Sequence, residues 1–370
     1  MIIGVPREIK DSERRVGLSP ASVAEAVGHE HTVLVETGAG EGSGFSDADY
    51  SAVGAEIEAT ARSVFERAEL IVKVKEPQAS ERAMLGPRHT LFTYLHLAPD
   101  PDQARELMQS GATCIAYETV TDARGGLPLL APMSQVAGRL AVQAGAHCLE
   151  GPQGGSGILL GGVPGVVPGH VVVIGGGVVG SNAIEMAIGL GADVTVLDRD
   201  AAVLGHLADR FGPALRTVYS TLSSLTQFVI AADLVIGAVL VPGAAAPKLV
   251  TAQHVSAMRP GSVVVDVAID QGGCIETSHP TTHSHPTFVV DDVVHYCVAN
   301  MPGAVPRTST LALNNATLPF VMYLADHGIR AALRSSGPLR DGLNIHRGHV
   351  TEPAVAAALG VELVTDPDLS

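Results

Sequence analysis

The sequence contains no tryptophan, few aromatic residues and few charged ones. Of its 370 residues, 4% are aromatic and 16% are charged, and the net charge is −15 at pH 7. Proteins that bind nucleic acids usually present a basic face or aromatic rings on which bases stack. The composition therefore argues against a nucleic-acid partner, and any anionic substrate must be bound by locally placed cations.

Cysteine is scarce and dispersed. The four cysteines form no C-x-x-C pair, which argues against a disulfide redox motif and against a four-cysteine zinc site. Thiols spread in this way are typical of a reduced, cytoplasmic protein, and we expect that location. The residues are Cys114, Cys148, Cys274 and Cys297.

Long uninterrupted hydrophobic runs are also missing. The N-terminal segment from Met1 to Glu8 turns polar too soon for a signal peptide. The most apolar span, residues 157–192, contains Pro164, Pro168 and Glu185. We therefore expect buried strand and helix there and no membrane span.

The chain does contain an alternation of apolar strands and helices. With 370 residues, of which 46% are hydrophobic, it is long enough for two domains with buried sheets. Strand-like runs that alternate with helical segments are typical of a parallel α/β layer. In the first part we predict strands at 2–5, 32–36, 70–74, 91–94 and 113–116, and helices at 20–27, 47–53, 61–68 and 102–110.

A second series of strands follows a long helix predicted over residues 134–150. After it, a helix through residue 324 leads to a polar tail without further strands, which we expect to return to the first domain. The predicted fold is α/β, with two Rossmann-like domains of parallel sheets. A nucleotide-binding domain, residues 129–307, is inserted into a discontinuous substrate domain, residues 1–128 and 308–370. The second series comprises strands predicted at 171–174, 194–197, 234–236, 262–266, 288–290 and 296–298.

A glycine-rich loop joins the first strand of the second series to a helix. Gly175, Gly177 and Gly180 fit the spacing G-x-G-x-x-G, which allows a tight turn, close approach of a pyrophosphate and close packing of the helix. Asp198 ends the next strand about 20 residues later, where a carboxylate accepts hydrogen bonds from the ribose hydroxyls of NAD. A chain with 41 glycines also produces such spacings by chance, so a purely structural turn is the alternative.

Polar side chains follow three predicted strands of the first domain. Arg15 lies in a charged segment after the first strand, Lys75 closes the third and His96 closes the fourth. Ligands bind beyond the carboxyl ends of the strands in open α/β sheets. Arginine clamps a carboxylate through two hydrogen bonds, lysine supplies a point charge and histidine transfers protons near neutral pH. Surface or capping roles are the alternative for each residue.

Two loops of the second domain also follow strands. Asp270 comes after the strand at 262–266, so its carboxylate is expected on the ligand-facing edge of the sheet, with loop capping as the alternative. Val239 and Leu240 follow the strand at 234–236 and are predicted to supply backbone contacts to a cofactor. Lys248 is predicted to be a surface residue.

Two further patterns resemble functional motifs without matching them. The glycines between Gly38 and Gly44 lack the Gly-Lys-Ser/Thr ending of a P-loop, and we expect a loop that flanks a cleft. His279, His283 and His285 are interrupted by prolines, and no cysteine or acidic residue completes a standard ligand set. A solvated loop is favoured over a metal site, and no metal is predicted.

Several short motifs occur in a specific order along nearly the whole chain. They are Pro6-Arg-Glu8, Arg15-Val16, Lys75-Glu-Pro77, Leu95-His-Leu97, Ala131-Pro-Met-Ser134, the glycine loop, Asp266-Val-Ala-Ile-Asp-Gln-Gly-Gly273 and Asn300-Met-Pro302. In this order and spacing the chain resembles the L-alanine dehydrogenase family. The same fold family includes the NAD(H)-binding subunit of proton-translocating transhydrogenase and some lysine-pathway dehydrogenases.

The resemblance implies roles for individual residues. Arg15 and Lys75 would hold the carboxylate and carbonyl of pyruvate. His96 would be the acid/base and Asp270 the second catalytic group. Arg199, next to the ribose-binding acid, leaves weak use of NADP open. The implied contacts to the NAD cofactor are Ser134, Gly175, Gly177, Val178, Val179, Gly180, Asp198, Arg199, Val239, Leu240, Ile269, Asp270, Asn300 and Met301.

The implied function is NAD-dependent, reversible oxidative deamination of L-alanine to pyruvate and ammonium. Hydride transfer to nicotinamide C4 and hydrolysis of an imine would take place in a cleft between the two domains. The expected partners are these small molecules and further copies of the chain, in a hexamer as in the family. The alternatives are an NAD(H)-binding subunit of a proton-translocating transhydrogenase, which would leave Arg15, Lys75, His96 and Asp270 unexplained, and a regulatory NAD sensor.

Overall fold

The structure is a computed structural model that describes residues 1–239, 246–365, 367 and 369. The chain divides into two units: Met1–Met133 together with Val305–Ser370, and Ser134–Ala304. The first unit is discontinuous because the C-terminal segment returns to it. This confirms the predicted insertion of one domain into another.

The first segment alternates strands and helices much as the hydrophobic runs predict. Three of the five predicted strands have the predicted bounds, and the additional short strand β3 carries two glutamates that hide it from a hydrophobic pattern. The strands are β1 (Ile2–Val5), β2 (Thr32–Glu36), β3 (Glu56–Glu58), β4 (Leu70–Val72), β5 (Thr90–Thr93) and β6 (Thr113–Ala116). The helices are α1 (Pro20–Gly28), α2 (Asp47–Ala52), α3 (Ala61–Arg67), α4 (Ala79–Arg82) and α5 (Pro101–Ser110).

The second unit is built on the same alternation. It contains α6 (Ala131–Cys148, from Ser134 onward), β7 (His170–Ile174), α7 (Val178–Gly189), β8 (Asp193–Asp198), α8 (Ala201–Phe211), β9 (Leu215–Tyr219), α9 (Leu222–Ala231), β10 (Leu234–Gly237), α10 (Ala252–Ser256), β11 (Val263–Asp266), β12 (Thr287–Val290) and β13 (Val293–Tyr296). The strand predicted at 296–298 corresponds to β13, which ends at Tyr296 instead of beginning there. Its hydrogen-bonded run starts at Val293, directly after the turn that follows β12.

The returning segment contains two strands, so the prediction of a polar tail without strands is wrong. Its elements are α11 (Pro306–His327), α12 (Ile329–Ser335), α13 (Gly337–Asp341), β14 (Leu343–His346), β15 (His349–Val350) and α14 (Pro353–Leu359). All four residues of β14 are buried although two of them are polar. Asn344 donates to Thr119 Oγ1 and His346 Nδ1 lies 3.0 Å from Thr113 Oγ1. These hydrogen bonds let polar side chains occupy a buried strand.

The sheet of the first unit has eight strands in the order β15-β14-β6-β5-β4-β1-β2-β3. β1 to β6 pair in parallel, whereas β14 pairs antiparallel with β6 and β15. The sheet is therefore mixed rather than purely parallel. Because β5, β4 and β1 are parallel neighbours, the loops that carry His96, Lys75 and Arg15 leave the same edge of the sheet.

The sheet of the second unit has seven strands in the order β12-β13-β11-β10-β7-β8-β9. Only the pairing of β12 with β13 is antiparallel among the pairs of the named strands. The central strands are continuous apolar runs buried on both faces, as expected for parallel strands between helices. Their carboxyl ends place the glycine loop after β7, Val239 after β10 and Asp270 after β11 on one edge. The predicted α/β class is confirmed.

Candidate active site

The glycine loop after β7 has a tight backbone conformation that only glycine allows at two of its positions. Gly175 has a φ of +97°, a left-handed conformation that favours glycine. A Cβ atom on Gly180 would lie 1.8 Å from the Gly175 carbonyl oxygen, so only glycine lets α7 begin this close to the strand. Gly177 caps α7, and a Cβ atom there would have nothing within 4 Å. This open space faces a helix N-terminus, whose first N–H groups favour anions.

Asp198 at the end of β8 holds this loop in place. Its Oδ2 atom accepts the Gly176 N–H at 2.6 Å, and its Oδ1 atom accepts the Asp200 N–H at 2.9 Å. The Asp198 carboxylate is half-buried, whereas Arg199 is exposed. The acid is thus fixed beside the glycine loop, and the neighbouring arginine faces solvent.

Arg15 is a buried cation in the loop after β1. Its Nε and Nη2 atoms donate to the two carboxylate oxygens of Glu13 at 2.7 and 2.5 Å, and its Nη1 atom donates to Met133 Sδ at 3.0 Å. Only 2% of Arg15 is exposed. Burial lowers its pKa, but the hydrogen bonds and attraction to Glu13 outweigh burial and raise the pKa. Arg15 therefore keeps its charge, and Glu13 orients its guanidinium plane.

A cavity of about 380 Å³ opens beside Arg15 within the first unit. Its lining includes Glu8, Glu13 and Arg14 from the loop after β1, and Gly38 and Gly42 from the glycine-rich segment. That segment therefore flanks a cleft, as the sequence predicts. Concave sites lined by a few converging polar groups are typical of small-molecule binding.

Two lysines follow β4, and their surroundings differ. Lys73 is completely buried, and its ammonium group donates to Glu8 Oε2 at 3.0 Å and Glu81 Oε1 at 2.7 Å. Burial lowers the pKa of Lys73, but attraction to the two carboxylates outweighs it and raises the pKa. Lys75 is only half-buried. Of the two, Lys75 is the more accessible.

His96 follows β5 in an unusual backbone conformation. Its φ is +49°, a region that non-glycine residues rarely adopt. Its imidazole ring lies parallel to the Tyr94 ring, with an interplanar angle of 2° and 5.9 Å between centroids. The buried Tyr94 hydroxyl donates to the Leu129 carbonyl at 2.6 Å, which fixes the lower ring of the stack. The His96 ring is 46% exposed and thus open to a ligand.

The Glu118 side chain lies beside His96. The Glu118 carboxylate accepts the backbone N–H groups of Leu95 and His96, and its Oε1 atom lies 3.6 Å from His96 Nδ1. Sequence reasoning missed Glu118 because it lies in a short helical turn after β6, far along the chain from His96. Only the pairing of β5 with β6 brings the two residues together.

Asp270 lies in a tight helical turn after β11. Its carboxylate accepts the backbone N–H of Asn300, with Oδ1 at 3.1 Å and Oδ2 at 3.4 Å. Asn300 has a φ of +59°. Ile269 and Met301, the neighbours of these two residues, are buried at 3% and 2% exposure. The structure therefore brings Asp270 and Asn300 together, and Asp270 also stabilises the loop, which was the alternative reading of this residue.

Asp266 shapes the turn that presents Asp270. This fully buried carboxylate accepts N–H groups from Ala268 at 3.2 Å, Cys274 at 3.3 Å and Ile275 at 3.0 Å. The Cys274 thiol donates to it at 3.6 Å. Backbone N–H groups from both ends of the loop 267–275 thus donate to the same buried side chain, that of Asp266. Asp266 is a second residue that the sequence did not single out for this role.

The comparisons with known proteins cover both units. The model of the alanine dehydrogenase/PNT N-terminal domain matches residues 4–137, and that of the alanine dehydrogenase/PNT C-terminal domain matches residues 141–353. The chain belongs to the alanine dehydrogenase/PNT family. The resemblance given by the short sequence motifs is thereby confirmed.

Several relatives of the family are similar over nearly their full length. An alanine dehydrogenase of Halomonas elongata is 62% identical over 98% of this chain and 98% of its own, and one of Bacillus subtilis is 55% identical over 98% and 96%. A solved L-alanine dehydrogenase structure superposes with a TM-score of 0.94 at 52% identity, covering 100% of both chains. A transhydrogenase structure from Sinorhizobium meliloti reaches a TM-score of 0.83 at 24% identity, covering 95% of this chain and 100% of its own, which shows a shared fold only.

The other residues predicted to contact the cofactor, and Lys248, differ in position and exposure. Ser134 is half-buried in α6, Val178 and Val179 form the first turn of α7, and Val239 is half-buried after β10. Leu240 lies outside the described residues. Lys248 is exposed as predicted.

The histidine cluster contributes to the loops around Asn300. The His279 ring stacks on Phe288, and His283 Nε2 donates to the Asn300 carbonyl at 3.2 Å. Within the described ranges, no group of three or more His, Cys, Asp or Glu side chains is placed to hold a metal ion. Of the helices in the described part of the chain, none has both the length and the apolar character needed to cross a membrane.

Proposed function

We propose that this protein catalyses the NAD-dependent, reversible oxidative deamination of L-alanine to pyruvate and ammonium. The observation that carries the proposal is the 62% identity to an alanine dehydrogenase over 98% of both chains. The charged groups of the first unit agree with it. A buried arginine, a half-buried lysine and an accessible histidine leave one edge of the sheet, which suits a small substrate with a carboxylate and a carbonyl group.

NAD fits the described glycine loop. Gly177, Val178, Val179 and the start of α7 would hold the pyrophosphate, and Asp198 would accept the adenine ribose hydroxyls. Further proposed contacts within the described residues are Ser134, Val239, Ile269, Asp270, Asn300 and Met301. When bound, the nicotinamide ring takes the hydride that leaves Cα of alanine. The protein itself then has to bind the substrate, orient it and move protons.

We assign substrate binding to Arg15 and Lys75. Arg15 remains charged in its buried setting because Glu13 pairs with it, so it attracts the substrate carboxylate without having to be ionised on binding. Lys75 adds a second positive charge at the neighbouring strand end and polarises the carbonyl oxygen of pyruvate. These local cations overcome the net charge of −15, which repels anions from the molecule as a whole.

We assign proton transfer to His96 and Asp270. Oxidation of alanine leaves an imine, which must gain water and lose ammonia. We assign the removal of the water proton to His96, through Nε2, because Nδ1 is directed toward Glu118. Asp270 stabilises the cationic nitrogen and the carbinolamine hydroxyl group. That the two residues act on the same substrate molecule is itself part of the proposal.

The test is direct. Purified protein mixed with L-alanine and NAD should produce NADH, seen by its absorbance, and pyruvate with ammonium should consume it. The alternative, an NAD(H)-binding transhydrogenase subunit, predicts NADH binding with no change on adding alanine. Binding of NADH without turnover of alanine or pyruvate would therefore contradict the proposed function.

We further propose a cytoplasmic homo-oligomer, with a hexamer implied by the family resemblance. All four cysteines lie in the described part of the chain as buried free thiols, which suits a reducing compartment. Leu159, Val163, Val166 and Val167 are 53–84% exposed within one short segment, a patch suited to contact with a second copy. Light scattering should give the mass of an oligomer, and Val166→Asp with Val167→Asp should reduce it. A monomeric wild type would contradict this proposal.

A further inference from the structure

Three charged side chains are buried together beneath the loops that follow β1 and β4. Glu8, Lys73 and Glu81 are 8%, 0% and 1% exposed, and Lys73 Nζ donates to both carboxylates. Within the sequence, Glu8 belongs to the charged segment around Arg15, yet the proposed chemistry gives it no task. We call these three residues the buried triad.

Stability alone does not explain the buried triad. Burial raises the pKa of Glu8, against the attraction of Lys73, which lowers it. Replacing buried ion pairs by well-packed apolar side chains is often neutral or stabilising. Apolar residues would therefore stabilise the sheet equally well at this point. The geometry indicates a different use for the charges.

Glu8 holds the main chain that carries Lys75. Its Oε1 atom accepts the Val74 N–H at 2.6 Å and the Lys75 N–H at 3.4 Å. Its Oε2 atom is bonded to Lys73, so the carboxylate has a fixed orientation. Glu8 thereby connects the loop after β1, where Arg15 lies, to the residue that precedes Lys75.

The other side of the Lys75 peptide is held by Thr93. The hydroxyl group of this completely buried residue donates to the Lys75 carbonyl at 2.9 Å. The Lys75 backbone is thus fixed through both its N–H and its C=O group, by side chains from two other strand ends. The long side chain of Lys75 then starts from a defined position.

We propose that Glu8, oriented by Lys73 and assisted by Thr93, is a positioning residue that sets the reach of the Lys75 ammonium group to the substrate. This inference rests on the proposed function and extends it, since Glu8 itself need not touch the substrate. Small displacements of binding groups have large effects, and a shift of about 1 Å can cost about a hundredfold in rate. Loss of the Glu8 contact should therefore weaken the use of pyruvate and alanine while leaving the nucleotide site intact.

The buried triad offers a matched pair of variants. Glu8→Leu and Glu81→Leu each remove one carboxylate from the same buried ammonium group, but only Glu8→Leu removes the acceptor of the Val74 and Lys75 N–H groups. Glu8→Leu should raise KM for pyruvate about tenfold or more, by misplacing Lys75, with KM for NADH unchanged. Glu81→Leu should leave both KM values close to those of the wild type. Equal shifts in the two variants, or a parallel rise in KM for NADH, would overturn the proposal.

A second variant keeps the test decisive if a change within the triad prevents folding. Thr93→Val conserves the shape of the side chain and removes only the hydroxyl that donates to the Lys75 carbonyl. Thr93→Val should raise KM for pyruvate and leave KM for NADH unchanged. Thr93→Ser, which keeps the hydroxyl, should have the wild-type KM for pyruvate. A Thr93→Val protein with wild-type KM for pyruvate would argue against a fixed Lys75 backbone as the determinant.

Failure of the proposed function would be seen separately, as a wild-type protein without turnover. In that case calorimetric titration of pyruvate into the wild type, Glu8→Leu and Glu81→Leu decides the inference. Weaker binding by Glu8→Leu alone supports it. Equal affinity, or no binding of pyruvate by the wild type, contradicts it.

Discussion

The Glu118 Oε1 atom accepts the backbone N–H of His96 at 2.5 Å and lies 3.6 Å from Nδ1 of the same residue. One carboxylate thus bonds the main chain of His96 and lies close to its imidazole ring. A non-glycine residue in the left-handed region costs about 1–3 kcal/mol and persists only where its surroundings hold it there. We therefore expect the position of His96 to depend on Glu118.

Replacement of Glu118 by alanine should consequently lower kcat. We expect a fall of about tenfold to a hundredfold, because proton transfer by a positioned acid/base is worth about 10² to 10⁴ in rate. Glu118→Gln, which keeps a carbonyl oxygen as acceptor, should lose less. Glu66→Ala, at an exposed ion pair with Arg62, serves as the control. Wild-type kcat in Glu118→Ala would show that His96 does not need this support.

The role of Lys75 can be tested against another lysine of the same unit. Lys75→Ala should cripple turnover of pyruvate while NADH binding, measured by fluorescence, stays nearly intact. Lys10→Ala, which removes a partly exposed ion pair with Glu76, should have little effect because exposed pairs contribute about 0–1 kcal/mol. Near wild-type rates for Lys75→Ala would mean that the substrate site has been placed wrongly.

Acid/base roles for His96 and Asp270 predict a specific pattern of losses. His96→Ala and Asp270→Ala should each lower kcat by about 10² or more, the usual scale for positioned acid/base groups. If both residues act in one step, the double variant should be little worse than the poorer single one. Losses that multiply in full would argue against a shared step.

The features that sequence predicts well are local ones. The glycine loop, Asp198 at the end of β8 and the apolar runs of the central strands are each defined within a few neighbouring residues, so their pattern survives in the sequence. Strand ends that share an edge also follow from parallel pairing, which is why Arg15, Lys75 and His96 could be predicted to follow strands at one edge of the sheet. These elements carry most of the fold and the residues proposed to bind substrate.

The features that sequence does not predict depend on contacts between distant segments. β14 is buried with Asn344 and His346 because partners from the first segment satisfy their polar atoms. Glu118 reaches His96 only across paired strands, and Glu8 reaches Val74 only through the neighbouring position of β1 and β4. A carboxylate that will hold a backbone looks, in the sequence alone, like a surface charge.

We expect cofactor choice to depend on two adjacent residues with opposite effects. Asp198 is fixed beside the glycine loop by the Gly176 and Asp200 N–H groups, whereas Arg199 is exposed. A fixed carboxylate accepts ribose hydroxyls and repels a 2′-phosphate, while an exposed arginine can turn into solvent. We therefore expect kcat/KM for NAD to exceed that for NADP strongly. Asp198→Ala should narrow the difference, and Arg199→Ala should lower any remaining rate with NADP. Equal kcat/KM values for the two nucleotides in the wild type would show that Arg199 binds the phosphate and that the proposed preference is wrong.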